Sequence, residues 1–406
     1  MKSVNDVAVS DAPSSGASVV PALFLALGTF AIGTEGFMIA PLLPTMAADF
    51  GLTVPTVAML VVVFTFTLAV SSPISTVATG RVDRRNVLLL AMAVFTAGNL
   101  LAAMSTGFWS LMVARILMAL AAGLYAPTAN ALAGAVAGPA FRGRALAIVS
   151  GGMTIAIALG LPLGALVGHA FGWRATFLAV AVMGVVAMLG VSLGVRRSLT
   201  TGLPVADLAA RLAVFRAPAV MRLLGVTLFW AIGAYAAYPY IASYLADVLE
   251  FGVGETAAAV SIWGLFAALG VTAGGALSDR VGSTRVVVGS LAALTLAFWG
   301  LALAAGLPAR AALAPALIAI AVWGFSVWSF FPAQMARLIA AVRPDQGSVS
   351  LSLNTSTMYL GFSIGSAFGA GILGAGAVWG IGLFAGVASA MALVMDRALV
   401  YRADGR

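Results

Sequence analysis

The 406-residue chain is 62% hydrophobic and only 8% charged, where ordinary soluble domains carry roughly 25% charged residues. So few polar side chains cannot cover such a core in water, and lipid is the solvent that removes the difficulty. The net charge of +8 does not indicate nucleic acid, because the arginines sit in short clusters between apolar runs and form no dense basic stretch; with no cysteine and one histidine, His169, there is no material for disulfides, thiol chemistry or a Cys/His metal cluster.

Residues 1–18, rich in Ser, Ala, Gly and Asp, read as a disordered tail. The apolar run behind them is too long for a signal peptide and reads as an uncleaved first span. Crossing roughly 30 Å of hydrocarbon takes about 20 apolar residues. On that measure spans are predicted near 20–43, 55–79, 87–104, 109–133, 144–168 and 174–194, then 220–246, 256–278, 286–306, 311–336, 348–373 and 376–396. The expected organisation is a tail (1–18), a six-span bundle (19–194), a linker (195–219), a second six-span bundle (220–397) and a short tail (398–406). The fold class is an all-α polytopic membrane protein.

Orientation follows from the basic residues. With the N-terminus inside, one face holds Lys2, Arg81, Arg84, Arg85, Arg142 and Arg144, the middle-loop arginines 196, 197, 211, 216 and 222, then Arg280, Arg285, Arg337, Arg343, Arg397, Arg402 and Arg406; the other face gets Arg174 and Arg310. Both termini are therefore expected in the cytoplasm. The two halves also repeat: TGRVDRRNVLLL between spans 2 and 3 answers GGALSDRVGSTRVVV between spans 8 and 9, and GWRATFLA in span 6 answers VWGIGLFA in span 12. Two matches at nearly the same offset argue for duplication of a six-span unit, an architecture of one large class of transporters.

Several motifs stand in order along the chain. The loop GALSDRVG contains Gly275, Asp279, Arg280 and Gly282; its first-half copy has Gly80 where an acid would stand, with Asp83 three residues later beside Arg84 and Arg85. Span 4 carries Arg115 followed by Gly123, span 5 carries Gly160-Leu-Pro162-Leu-Gly164, and span 1 carries Gly33-Thr34-Glu35-Gly36-Phe37. Together these motifs resemble the major facilitator superfamily, and within it the twelve-span drug:proton antiporters near the bacterial arabinose, purine-nucleoside and chloramphenicol exporters. The resemblance implies two six-helix bundles around a central cavity in the bacterial inner membrane, working by alternating access as a monomer. The Gly160, Pro162 and Gly164 motif is the one associated with exporters.

Glu35 is the acid that lies well inside a span, where a charge costs roughly 2.5–3.5 kcal/mol on insertion scales. Burial works against the charged form of a carboxyl, so such a group can exchange a proton near neutral pH; the alternative is a permanently protonated structural glutamate. Arg115 is the one base inside a span. Counted from span ends at residues 43 and 109, Glu35 and Arg115 lie roughly 12 Å and 9 Å below the same surface, so Arg115 could govern when the proton leaves, or could snorkel to the interface. Asp279 and Arg280 are implied by the resemblance to hold the cytoplasmic side closed in one state, with Asp83, Arg84 and Arg85 as the departed copy. Alternatively they form a plain positive-inside loop. Glycines of span 5 (151, 152, 160, 164, 168) and span 11 (361, 365, 369, 371) are expected to be packing surfaces.

For substrate contact the superfamily uses spans 1, 4, 7 and 10. The matching spans offer Phe37, Met38, Tyr125, Asn130, Trp230, Tyr235, Tyr238, Trp323, Trp328, Phe331 and Gln334, with Asn354 and Tyr359 on span 11; core packing or a membrane-interface belt is the other reading of each aromatic. The function expected is proton-coupled efflux of a small, neutral or singly charged, amphipathic molecule. The partners are that substrate, protons and membrane lipid, with no nucleic acid, no metal and no cofactor beyond the proton gradient. A dication would need two buried carboxylates, and the sequence offers Glu35 alone. A proton symporter on the same fold is the alternative. A membrane enzyme would need a cluster of His, Cys or paired carboxylates that is absent.

Overall fold

The computed structural model describes residues 19–79, 82–195, 217–343 and 346–403. The N-terminal tail, Gly80, Arg81, most of the middle linker with four of its arginines, and Arg406 lie outside the described residues.

Among the described residues, twelve helices are long and apolar enough to cross a membrane. They are span 1 (Val20–Phe50), 2 (Val54–Ser75), 3 (Arg84–Ala103), 4 (Phe108–Val136), 5 (Phe141–Phe171), 6 (Trp173–Gly194), 7 (Pro218–Leu249), 8 (Val253–Val281), 9 (Ser283–Ala304), 10 (Ala309–Ala340), 11 (Val349–Gly374) and 12 (Val378–Ala398). In hydrocarbon each backbone N–H and C=O must find its partner within the segment, which is why these runs are helical almost end to end. An even number of crossings puts both chain ends on one side, called here the terminal face; the other is the far face.

Spans 1 and 7 correct the expected boundaries of 43 and 246. Each continues through a 3-10 turn into a second short helix. Span 1 is Val20–Met38, Ala40–Leu42 and Leu43–Phe50; span 7 is Pro218–Ala237, Tyr238–Tyr240 and Ile241–Leu249. Pro41 and Pro239, 198 positions apart, each lack the N–H that the helix would use and so impose the bend. The duplication read from the loops is thus repeated in backbone shape.

Span 5 packs on span 1 and span 11 on span 7, each along a line of glycines. A Cβ on Gly160 would stand 2.2 Å from Thr34 Oγ1, one on Gly164 2.6 Å from Met38 Cβ, and one on Gly168 2.4 Å from Leu42 Cδ2. In span 11 a Cβ on Gly365 would stand 2.2 Å from the Ile232 carbonyl oxygen, and one on Gly369 2.4 Å from that of Ala236. Such contacts let backbones meet directly. Gly151 and Gly371 differ: a Cβ at either meets nothing within 4 Å, so neither belongs to the packing line. Ahead of Pro162 span 5 has one π-helical stretch, Ala156–Gly160, with Leu161 N–H bonded to the Ala156 carbonyl. The extra residue locally shifts the ladder beside the proline.

The two halves meet at and beyond mid-membrane toward the far face. Tyr238 Oη donates to the Phe37 carbonyl at 2.7 Å, and Ser363 Oγ to the Val62 carbonyl at 3.0 Å. A Cβ on Gly264 of span 8 would stand 2.8 Å from the Ile157 carbonyl of span 5, so those backbones touch. On the far face Arg174 ties the first half together, donating to Asp49 at 2.7 Å and to the Ser105 carbonyl.

Candidate functional site

Glu35 lies fifteen residues from each end of span 1, roughly 22 Å of helix from either terminus. That is deeper than the distance counted from residue 43, because the helix continues past Pro41. Its carboxylate is fully buried and forms an ion pair through Oε1 with Nη1 of the equally buried Arg115. The guanidinium carbon lies 3.9 Å above the centroid of the Phe64 ring of span 2, a cation–π contact in a dry site. Arg115 therefore turns inward to Glu35 and does not snorkel. Glu35 Oε2 and Arg115 Nε and Nη2 are buried and, among the described residues, make no hydrogen bond, so the pair carries unused capacity on both sides.

Two residues beyond Glu35 in span 1, aromatic rings from both halves converge on Phe37. Phe37 makes edge contacts with Tyr238 and Trp328, each at 5.7 Å between centroids, and lies 6.5 Å from Trp263. Tyr238 meets Trp263 at 4.6 Å and Tyr235 at 5.4 Å; Tyr235 stacks on Phe362 at 3.7 Å. Trp328 leads on to Phe331, and Phe362 to Tyr359. Of the residues expected to face substrate, the structure gathers Phe37, Tyr235, Tyr238, Trp328, Phe331 and Tyr359 here. Phe64, Trp263 and Phe362 belong to the same neighbourhood and were not foreseen. They stand on spans 2, 8 and 11, and only the register of those helices against spans 1 and 7 would have pointed to them.

The other residues expected at the cavity make contacts within or between helices, and Trp230 and Trp323 also border the aromatic cluster through Phe362 and Trp263. Met38 packs on Gly164, and the Tyr125 ring covers Gly28 while its hydroxyl donates to the Leu25 carbonyl at 3.0 Å. Trp230 stacks on Phe330 at 4.6 Å, and Trp323 lies between Phe298 and Trp263. Asn130, half-buried, donates to the Ala126 carbonyl one turn back. Gln334 and Asn354 are fully buried in a polar network of the second half. Gln334 Nε2 donates to the Leu223 carbonyl at 2.8 Å and to Thr227 Oγ1 at 3.2 Å, and Thr227 donates to Asn354 Oδ1 at 2.7 Å.

Arg337 joins this network by donating to Gln334 Oε1, and lies 2.6 Å from the carboxylate of Asp396. Asp396 is fully buried, so Glu35 is not the one buried acid the sequence reading took it for. Asp396 was overlooked because it closes the last apolar run beside Arg397 and reads there as an interfacial residue.

The two loop motifs differ in state. Asp279 and Arg280 are exposed, and among the described residues neither makes a salt bridge. In the first-half copy, Asp83 caps span 3, its Oδ1 accepting from Asn86 N–H at 3.2 Å. Arg84 is buried, and Arg85 donates to the Ser192 carbonyl of span 6 at 2.8 Å. Asp83, Arg84 and Arg85 thus hold the start of span 3 in place.

With this geometry established, comparison with known proteins gives one consistent answer. An MFS-type transporter of Bacillus subtilis (strain 168), YbcL, is 28% identical over 347 residues, covering 85% of this chain and 86% of its own. The inner membrane transport protein YdhP of Escherichia coli (strain K12) is 28% identical over 362 residues, 88% of this chain and 89% of its own. A chloramphenicol resistance protein of Streptomyces lividans is 30% identical over 384 residues, 91% and 94% of the two chains. Among solved structures, a bacterial homologue of the human lysosomal transporter Spinster, crystallised inward-facing and unoccupied, shares the fold with a TM-score of 0.73 over 94% of this chain and 97% of that one, at 18% identity. The family model described as Major Facilitator Superfamily matches residues 25–366. The chain is a multi-pass membrane transporter, not an enzyme, and it belongs to the major facilitator superfamily.

Proposed function

We propose that the protein is a proton-coupled exporter, exchanging external protons for a small, neutral or singly charged, amphipathic molecule by alternating access across the cytoplasmic membrane, with both termini in the cytoplasm. The observation that carries this reading is the Glu35–Arg115 pair. It is a carboxylate in the middle of a span, balanced by one arginine and left with a free oxygen. Protonating Glu35 cancels the pair and leaves Arg115 charged over the Phe64 ring without its counter-ion. Proton binding thus changes the stability of a buried charge at mid-membrane, a difference on which alternate conformations can be selected. The halves are joined toward the far face while Asp279 and Arg280 are unengaged, which fits a conformation opened to the cytoplasm.

The substrate class follows from the surroundings. The aromatic cluster offers faces for a ring or alkyl group, and the buried indole N–H of Trp263, which makes no hydrogen bond, is available to a carbonyl or hydroxyl. Asp396 is paired with Arg337 two residues from the end of span 12, whereas Glu35 lies at the middle of span 1; the proton cycle is therefore assigned to Glu35, and a dication has no second carboxylate beside it. With a neutral substrate each turnover moves one positive charge inward, gaining roughly 2.3 kcal/mol per 100 mV from the membrane potential. Export over import is supported by the Gly160–Gly164 motif and by the similarity to a chloramphenicol resistance protein.

The test uses inside-out vesicles from expressing cells, energised to an acidic interior, with radiolabelled chloramphenicol, arabinose and purine nucleosides offered in turn. An exporter of this kind accumulates at least one of them, and transport in proteoliposomes is stimulated by potential alone. Expulsion under the same gradient supports a symporter instead, and electroneutral exchange of a doubly charged compound contradicts the substrate class.

A further inference from the structure

Spans 8 and 9 turn sharply at Gly282 on the terminal face, and both pack on span 10. Where they diverge they leave a cleft of about 640 Å³, open to the side and floored by span 10. Its walls include Leu277 and Val281 of span 8, Gly289 of span 9, and Ile318 and Phe325 of span 10. Leu277, Val281 and Ile318 are 39%, 43% and 63% exposed, so the cleft presents apolar surface to the bilayer. Of the three serines that line it, Ser290 and Ser329 bond to each other through their hydroxyls at 2.8 Å, and Ser326 is buried.

The mouth is different. Arg285 lines the cleft one turn into span 9, is exposed, and among the described residues makes a single hydrogen bond, Nη1 to the Val281 carbonyl at 3.3 Å. The N-terminus of span 9 beside it has no side-chain cap, so its first N–H groups and the helix dipole add positive potential. Asp279 lies two residues from both Leu277 and Val281, about 200° around the helix, and so projects away from the cleft. From Arg285 to Ala293 the cleft runs roughly 12 Å along span 9, and from Val281 to Phe266 roughly 22 Å along span 8. One leaflet occupies about 15 Å of the hydrocarbon.

We propose that this cleft is a binding site for one anionic phospholipid of the terminal-face leaflet, its acyl chain lying between spans 8 and 9 and its phosphate held by Arg285 and the open end of span 9. The length fits a chain that ends near mid-membrane, the wall is apolar apart from three serines, and the one charge stands at headgroup level with most of its donors unused.

Native mass spectrometry of the full-length protein, equilibrated with phosphatidylglycerol or phosphatidylcholine, tests this. The wild type should retain one phosphatidylglycerol in preference to phosphatidylcholine. Arg285→Gln should lower phosphatidylglycerol retention about fivefold, the effect of one basic residue at a membrane surface, and remove the preference. Gly289→Phe should expel both lipids; a Cβ there meets nothing within 4 Å, so the ring can enter the cleft without displacing a helix. Ala293→Leu narrows the same wall and serves if the phenylalanine variant does not purify. Arg310→Gln, on the far face, should change nothing. Equal retention of the two lipids by the wild type, undiminished phosphatidylglycerol in both cleft-filling variants, or an equal loss in Arg310→Gln would overturn the proposal.

Discussion

Separating the two charges of the Glu35–Arg115 pair should give destabilisations that differ in their response to pH. Both side chains are fully buried with no other counter-charge in contact. In Glu35→Leu the guanidinium stays charged at every accessible pH, so the loss should be about 3–5 kcal/mol, as for other broken buried pairs, and constant between pH 5 and 7. In Arg115→Met the carboxyl can enter the fold protonated. Holding a proton on a glutamate whose solution value is near 4.3 costs about 3.7 kcal/mol at pH 7 and about 1 kcal/mol at pH 5. The folded variant then binds a proton that the unfolded chain does not, so its stability falls as pH rises. The double variant removes both charges and should match or exceed the wild type. Equilibrium unfolding in mixed dodecyl maltoside and SDS micelles at the two pH values measures all four proteins. An Arg115→Met loss that does not shrink at pH 5, or single effects that simply add in the double variant, would refute this account of the pair.

Three further outcomes are expected. Gly160→Ala places a methyl 2.2 Å from Thr34 Oγ1 and should cost about 1–3 kcal/mol by overpacking, whereas Gly151→Ala, facing open space, should leave thermal stability unchanged. Asp396→Asn strands Arg337, 12% exposed, and should lower the unfolding free energy by about 3 kcal/mol without changing the proton dependence of transport, which separates it from Glu35. Asp279→Asn should reduce maximal transport rate more than substrate affinity in vesicle kinetics. Asp83→Ala should cost about 1 kcal/mol as a lost helix cap, and Asp83→Asn, which keeps the accepting oxygen, should be milder.

The crossings and the central pair were legible because lipid makes them so. An apolar run of sufficient length must span as a helix, and a charge left inside one must find a partner, which is how Glu35 and Arg115 could be matched from depth alone. The bends at Ala40–Leu42 and Tyr238–Tyr240 were not legible, since the predicted spans run through Pro41 and Pro239 and hydropathy does not register a turn within an apolar run. The aromatic cluster was half legible. Phe37 and Tyr238 stand on the spans the family uses, but Trp263 and Phe362 reach the site only through how spans 8 and 11 rotate against span 7. Hydropathy carries no information on that rotation. Gln334 and Asn354 were visible as polar groups in apolar spans, but nothing in the sequence signalled that Thr227 would link them in one buried network. Asp396 was hidden by its position, because an acid at the end of a run looks interfacial until neighbouring helices are seen to enclose it.

The measurement that bears most directly on the central claim is pH-gradient-driven transport by purified Glu35→Gln in proteoliposomes. The amide keeps the size of the side chain and can still accept from Arg115, but it cannot carry a proton. The account predicts that the variant folds and binds substrate yet no longer moves it against its gradient when ΔpH is imposed, while downhill exchange persists. Uphill transport at the wild-type rate would show that the proton travels on another group.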